Sequence, residues 1–356
     1  MNIGEWSEFY VFLKILSDRK LVSADSELNP LEGQDIPVIK IIRKETTDSE
    51  KVYSLLEEKP NEIIYTEVNG KSLIFDSFEI SSKLKTIFKK ILDDTSNIPE
   101  GEYLLKYLDC SSANGTPRGS KEDLTMVIHD PRTNREPLMS YSIKSQVGSP
   151  STLLNASGAT NFIYELITNV AHVDINSLNN AVGARHRIEN AVNAGMTFKY
   201  FNVVNETFKS NMELIDYAFP EIMATLLLKQ FSGSAMNLVE IINSFSDLVE
   251  LPVAGRSVNK NALVFKLKNF LVAVALGMKP SKIWSGMLTA NGGYLILKKN
   301  GDLVCYHIFN INDFQDYLLN STKFERGSET RHGYGKFYEQ NGKIFINLNL
   351  QIRFTK

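Results

Sequence analysis

Two alternating runs around a cluster of turn formers, between Asp123 and Gln146, constrain this chain more than any other stretch. The first run reads Asp-Leu-Thr-Met-Val-Ile-His-Asp, the turn Pro-Arg-Thr-Asn-Arg-Glu-Pro, and the second run Leu-Met-Ser-Tyr-Ser-Ile-Lys-Ser-Gln. Period-two alternation on both sides of turn residues is the pattern of an antiparallel hairpin. With the turn centred between Thr133 and Asn134, Leu124 faces Ile143, Met126 faces Tyr141 and Ile128 faces Met139. All three pairs are apolar, so this register buries one face of the hairpin. The other face carries Asp123, Thr125 and Val127 against Lys144, Ser142 and Ser140. Asp123 and Lys144 are then direct neighbours at the open end, with Gln146 following on the same face. From spacing alone such a pair is usually a surface ion pair contributing roughly 0–1 kcal/mol.

The 356 residues are 43% apolar and 22% charged, an ordinary globular composition with ample length for a sizeable core. A formal net charge of −2 gives no global basic character. That counts mildly against a nucleic-acid binder, although a local basic cleft is enough for one. Cys110 and Cys305 make no disulfide framework, and the five histidines lack zinc-ligand spacing with them. No secretory or transmembrane segment is visible, so a cytoplasmic location is expected.

Around the hairpin, helical spacing of Trp6, Phe9, Leu13 and Leu16 predicts a first helix from Gly4 to Ser17, on which Glu8 lies toward the side of Phe12 and Ile15. Pro37–Ile42, Ile63–Tyr65 and Ser72–Phe75 read as strands, and Phe78–Asp94 as an amphipathic helix with its lysines outward. Asp109–Asp123 is a polar loop, and Ala159–Ala171 has a helical pattern. Phe219–Phe231, Asn237–Leu248 and Leu263–Met278 read as scaffold helices. Gly292–Phe309 is a hairpin about Asn300-Gly301, and Phe345–Phe354 a final alternating strand.

The block Ser-Ile-Lys-Ser-Gln-Val-Gly-Ser-Pro-Ser-Thr-Leu-Leu-Asn-Ala-Ser-Gly-Ala-Thr-Asn-Phe, from Ser142 to Phe162, resembles the HpaII-type family of restriction endonucleases. The opening Gly4-Glu-Trp-Ser-Glu8-Phe-Tyr-Val and the late Arg331-His332-Gly-Tyr-Gly look like the same family, so the likeness spans essentially the whole chain. It implies a PD-(D/E)XK nuclease core within an α/β (α+β) fold. That core would be a mixed central sheet flanked by helices, with added helical and β elements for DNA recognition. Residues 1–175 would hold the first helix and the catalytic core. Residues 176–356 would hold a helical scaffold and a β-rich recognition part packed with that core as one unit.

In such cores an Asp on one strand and an acid-x-Lys on the next hold Mg²⁺ and activate water. Asp123 matches the metal-binding Asp and Lys144 the Lys. The acidic position two before the Lys is Ser142, a departure, because a serine supplies no charge to a hard cation. The missing carboxylate is expected from Glu8, with Glu5 as the fallback. The rival for Glu8 is an exposed acid that complements the helix dipole. Glu165 ranks below Glu8. It is read as lying on a helix after the hairpin, as in CCGG-cutting enzymes whose Ser-x-Lys acid is displaced onto a following helix. Gln146 would position Lys144 or the phosphate.

For DNA contact, Arg118 and Lys121 in the polar loop before Asp123 are the phosphate candidates. Ser149, Asn155 and Asn161 are polar candidates, the two asparagines being equally readable as caps. Lys323–Lys336 interleaves basic residues with aromatics and glycines, which suits a loop entering a groove. Arginine can take guanine through O6 and N7 together, so Arg331 and His332 are the recognition candidates, with Arg256 a weaker one. The implied activity is Mg²⁺-dependent hydrolysis of double-stranded DNA at a short GC-containing site, CCGG or related, leaving a 5′-phosphate. A cognate DNA methyltransferase is implied on the same grounds, and homo- or hetero-oligomers on DNA stay open. Ser142 keeps one alternative in view, a catalytically silent or partner-dependent DNA-binding relative.

Overall fold

The computed structural model describes residues 1–46, 49–67, 69–116, 120–169, 173–234, 236–253 and 255–355. The chain divides into two compact units, Met1–Ser151 with Leu288–Tyr317, and Thr152–Met287 with Leu318–Thr355. The expected division at residue 175 differs from this one. The chain leaves the first unit earlier, at Ser151, and returns to it late. Both units mix helices with strands, the α/β class expected. Among the described residues no helix is long and apolar enough to cross a membrane.

The first unit begins with helix α1 (Ile3–Asp18), opened by a capping box in which the Asn2 side chain accepts from Glu5 N and Glu5 accepts from Asn2 N. Arg19 closes it in the left-handed conformation. Trp6, Phe9, Phe12, Leu13 and Leu16 are all buried, so α1 is a core helix. Each such side chain contributes about 1.5–3 kcal/mol through removal of apolar surface from water. It packs on helix α2 (Ser77–Leu92), whose apolar face is Ile80, Ile87 and Ile91, and α1 lies against a sheet.

That sheet runs through β1 (Lys20–Ala24), β2 (Pro30–Thr46), β3 (Ser49–Ser54), β4 (Glu62–Glu67), β5 (Ser72–Asp76), β6 (Leu124–Ile128) and β7 (Leu138–Ser145), joined by two strands from late in the chain, Gly293–Leu297 and Leu303–His307. The order is β1, Leu303–His307, Gly293–Leu297, β7, β6, β2, β3, β4, β5. Gly293–Leu297 lies parallel to β7, with Tyr294 beside Ser142 and Ile296 beside Lys144. It turns back at Asn300-Gly301, with Gly301 at φ 90°, to pair antiparallel with Leu303–His307.

β6 and β7 form the expected hairpin with the expected faces but a different register. Leu124 lies opposite Tyr141, Thr125 opposite Ser140 and Met126 opposite Met139. The cause is the loop. Asp130 bridges Arg135, its carboxylate accepts from Arg132 N at 2.9 Å, and Asn134 takes φ 53°. The loop therefore closes on Pro131–Asn134, one residue earlier than the composition suggested. A two-residue slip keeps every side chain on its face.

In the second unit Asn161–Ile167 is a strand rather than the expected helix, entered through a short 3₁₀ turn at Gly158–Thr160. Phe162, Tyr164 and Leu166 are buried while Ile163 and Glu165 are half-exposed, a period of two carried by aromatic and β-branched residues. It is sandwiched between Thr197–Val203 and Lys343–Asn349, with Phe337–Gln340 at the far edge. The helices Ala184–Asn193, Phe219–Phe231 and Lys260–Leu276 belong to this unit.

Candidate active site

The open end of the β6–β7 hairpin gathers Asp123, Ser142 and Lys144. Asp123, one residue before β6, donates its backbone N–H to Tyr141 O at 2.8 Å. It therefore stands opposite Ser142 rather than Lys144, as the register requires. Its Oδ2 accepts from the Ile143 N–H at 2.7 Å and from the Ser142 hydroxyl at 3.0 Å. Lys144 Nζ donates to the same Ser142 oxygen at 3.1 Å. Asp123 and Lys144 thus share one side of the sheet, linked through the Ser142 hydroxyl. Lys144 also lies over the ring of Tyr294, 5.2 Å from its centre. Burial lowers the Lys144 pKa from the ordinary lysine value, against the opposing pull of Asp123 and Glu8.

Glu8 is the acid that α1 brings to this place. Its pKa is raised to about 7, first by burial and next by the negative charge of Asp123, with Lys144 pulling the other way. Glu8 is half-buried and feels both hairpin residues, so the exposed-acid alternative does not hold. Glu5, the fallback, is engaged in the α1 capping box. Glu8 and Lys144 line a cleft of about 560 Å³ together with Ser7, Ser145, Gly148 and Ser149. Ser7 went unnoticed in the sequence. It is buried at 1% exposure, and its hydroxyl has no partner among the described residues. Tyr294 was missed for another reason, since nothing local signals that its strand will lie beside β7.

The remaining candidates separate clearly. Gln146 sits just past β7 and donates its backbone N–H to Leu297 O at 2.9 Å. Lys121 is half-exposed and Ser149 exposed on the cleft rim. Arg118 lies outside the described residues. Glu165 belongs to the second unit, on a strand, and is ion-paired with Lys343 at 2.8 Å, so it does not sit on a helix following the hairpin. Asn155 is exposed. Asn161 is a correction. At 3% exposure it is buried, and its amide is spent within the protein, with Nδ2 donating to His332 O at 2.9 Å and Oδ1 accepting from Asn349 Nδ2 at 2.6 Å. Arg256 is ion-paired with Glu221.

The turn that Asn161 holds runs from Ser328 to Gly335. Ser328 caps the short helix Glu329–His332, and Gly333 follows in the left-handed conformation at φ 65°. The Tyr334 hydroxyl ties back to Gly327 O at 2.6 Å. Arg331 is exposed and His332 half-buried on this braced turn.

Comparison with known proteins places the chain in a family. The HpaII restriction endonuclease family model matches residues 2–354. The chain is 38% identical to the Type II restriction enzyme HpaII of Haemophilus parainfluenzae, over 99% of this chain and 98% of that protein. The chain belongs to the HpaII restriction endonuclease family. Family membership makes it an enzyme, an endonuclease homologous to a type II restriction enzyme. No solved structure matches this HpaII-family chain.

Among the described residues no three His, Cys, Asp or Glu side chains cluster as a ready-made metal cage. Mg²⁺ does not demand one, because it is commonly held by one or two carboxylates with waters and substrate phosphates. Asp123 and Glu8 are two carboxylates held close enough to raise the pKa of Glu8, with the Ser142 hydroxyl beside Asp123. This hard-oxygen donor set fits a divalent cation of the Mg²⁺ type.

Proposed function

We propose that this protein is a Mg²⁺-dependent type II restriction endonuclease with a PD-(D/E)XK-type centre at Asp123, Ser142, Lys144 and Glu8. It hydrolyses phosphodiesters of double-stranded DNA at a short GC-containing site, CCGG or related. The observation that carries the reading is the Asp123–Ser142–Lys144 chain of hydrogen bonds with Glu8 electrostatically coupled to both ends. Asp123 and Glu8 would hold the cation. When bound, the ion would supply an acidified water and offset charge developing on the phosphate.

The chain's own groups do the rest. The Ile143 N–H and the Ser142 hydroxyl fix the Asp123 carboxylate, leaving Oδ1 for a ligand. Ser142 also aims the Lys144 ammonium, which is placed to attract the phosphate and stabilise its extra negative charge in the transition state. Glu8 takes the role of the acid absent at position 142. Gln146 positions Lys144 or the phosphate. Water adds to phosphorus, the bond to the 3′ oxygen breaks and that oxygen takes up a proton, leaving a 5′-phosphate and a 3′-hydroxyl. Arg331 and His332 read base edges, while Lys121, Ser149, Asn155 and Arg118 contact the DNA backbone. A cognate methyltransferase protects host DNA by modifying the same site.

A plasmid digest tests this. Discrete fragments are expected with Mg²⁺, none with EDTA, and none with Asp123→Ala. Cleavage that survives Asp123→Ala removes the site assignment. No cleavage under any condition, with a specific gel shift, favours a catalytically silent DNA-binding relative.

A further inference from the structure

A second cavity, of about 380 Å³, lies within the second unit and is lined by Arg187, Glu329, Thr330, Lys336, Tyr338 and Asn347. Its one carboxylate is already spent. Glu329 Oε1 accepts from Ala184 N at 2.6 Å, and Oε2 pairs with Arg187 Nη1 at 2.8 Å. The Arg187 side chain is 8% exposed. Its Nη1 also donates to Gly335 O at 2.8 Å and its Nε to Asn179 O at 3.4 Å, while Nη2 has no partner among the described residues. Lys336 is exposed, and no described residue pairs with its ammonium. Asn347 Oδ1 accepts the Tyr338 hydroxyl at 3.0 Å, which leaves its NH₂ unspent.

The walls therefore hold unspent donors and an uncompensated positive charge, with no free acceptor of matching charge. An arginine oriented by three fixed acceptors presents its remaining Nη2 donors to the cavity in a fixed direction, where water or a ligand oxygen accepts from them. A tetrahedral anion with several oxygens satisfies such a set, because guanidinium and ammonium donors make their strongest hydrogen bonds to phosphate. A cation would meet Lys336, and an apolar ligand would strand the donors.

We propose that this cavity seats a backbone phosphodiester of the DNA, using Lys336, the free Nη2 of Arg187 and the Asn347 amide. The proposal rests on the reading that the protein binds duplex DNA. The same turn that presents Arg331 would then be anchored to the backbone at Lys336, so that position along the duplex is set by one residue and sequence by the other.

The experiment is a salt series of duplex binding, read by fluorescence anisotropy, on a duplex carrying the cleaved sequence and on a scrambled one. For Lys336→Gln, the plot of log affinity against log salt is expected to be shallower by about 0.9 on both duplexes, the loss of one phosphate contact. The preference between the duplexes should stay unchanged, and Lys336→Arg should restore the slope. Asn347→Asp, which sets a carboxylate where the anion would sit, should weaken both duplexes equally. An unchanged slope with DNA binding intact overturns the phosphate seat alone. A loss confined to the cleaved sequence overturns it in favour of a base contact. A wild-type protein that binds no duplex at any salt overturns the DNA reading and this proposal with it.

Discussion

Asp123 and Ser142 face each other across the β6–β7 hairpin, and the Ser142 hydroxyl donates to Asp123 Oδ2 at 3.0 Å. The Ser142 Oγ in turn accepts from Lys144 Nζ at 3.1 Å. The Ser142 hydroxyl therefore touches two charged groups without adding a charge of its own. Ser142→Ala should lower kcat roughly a hundredfold, the scale on which small misplacements of reacting groups act. KM should change little, and the melting temperature should fall by no more than the loss of about one hydrogen bond, ~1 kcal/mol. Steady-state cleavage of an oligonucleotide duplex beside a thermal melt separates these. A rise in KM at constant kcat would contradict the relay.

Lys144 makes a second test. Lys144→Gln should cost roughly 10²–10³ in kcat while leaving duplex binding nearly intact, as expected for a group that stabilises transition-state charge. Its pKa is lowered by burial, so its charge disappears at a lower pH than an ordinary lysine's. The wild-type rate should therefore fall on the alkaline side before the usual lysine range, and Lys144→Arg, where active, should flatten that limb. A pH–rate profile under single-turnover conditions reads both.

Glu8 links the site to stability. Its pKa in the fold is about 7, against an ordinary value of 4.5, so the folded protein holds a proton that the unfolded chain has released between those values. Stability from this group is present below the unfolded pKa and is lost as pH rises toward 7. The loss is about 3 kcal/mol for a shift of this size. In metal-free solution Glu8→Gln should gain stability relative to wild type at pH 8 and gain little at pH 4. Mg²⁺ should raise the wild-type melting temperature more at pH 8 than at pH 6, and raise that of Glu8→Gln less at both. Equal metal responses in the two proteins would remove Glu8 from the donor set.

Arg331 and Asn161 form a linked pair of predictions. Arg331→Ala should reduce affinity for the cleaved sequence by about 1–3 kcal/mol, the worth of a bidentate arginine–guanine contact, and leave scrambled duplex nearly unchanged. Asn161→Ala removes the donor to His332 O and the acceptor of Asn349. It should act in the same direction on sequence preference, with about 1–3 kcal/mol lost from folding stability as buried partners go unpaired. Competition binding on the two duplexes, run with a denaturant melt, distinguishes them. Equal loss on both duplexes would make Arg331 a phosphate contact.

The hairpin's existence and its faces were legible because alternation and turn chemistry are local. Its register was not, since Asp130 closes the loop through its side chain and moves the centre by one residue. Asp123 consequently faces Ser142 and not Lys144, a difference no hydrophobic pattern records. The segment Ala159–Ala171 has a helical pattern, and pairing of Asn161–Ile167 with Thr197–Val203 on one side and Lys343–Asn349 on the other selects the extended form. The nearness of Glu8 to the hairpin depended on family likeness rather than spacing, because no sequence period states where a helix will lie on a sheet.

The strand Gly293–Leu297 enters the sheet beside β7 after more than a hundred residues spent in the other unit. A polypeptide that stops short of Leu288 already contains Asp123, Lys144 and Glu8. It would nonetheless leave one flank of β7 unpaired and deprive the lysine of its aromatic floor. An emerging chain therefore carries all three of these side chains before the strand that completes the sheet beside β7 exists, and the late return of this ribbon closes that flank.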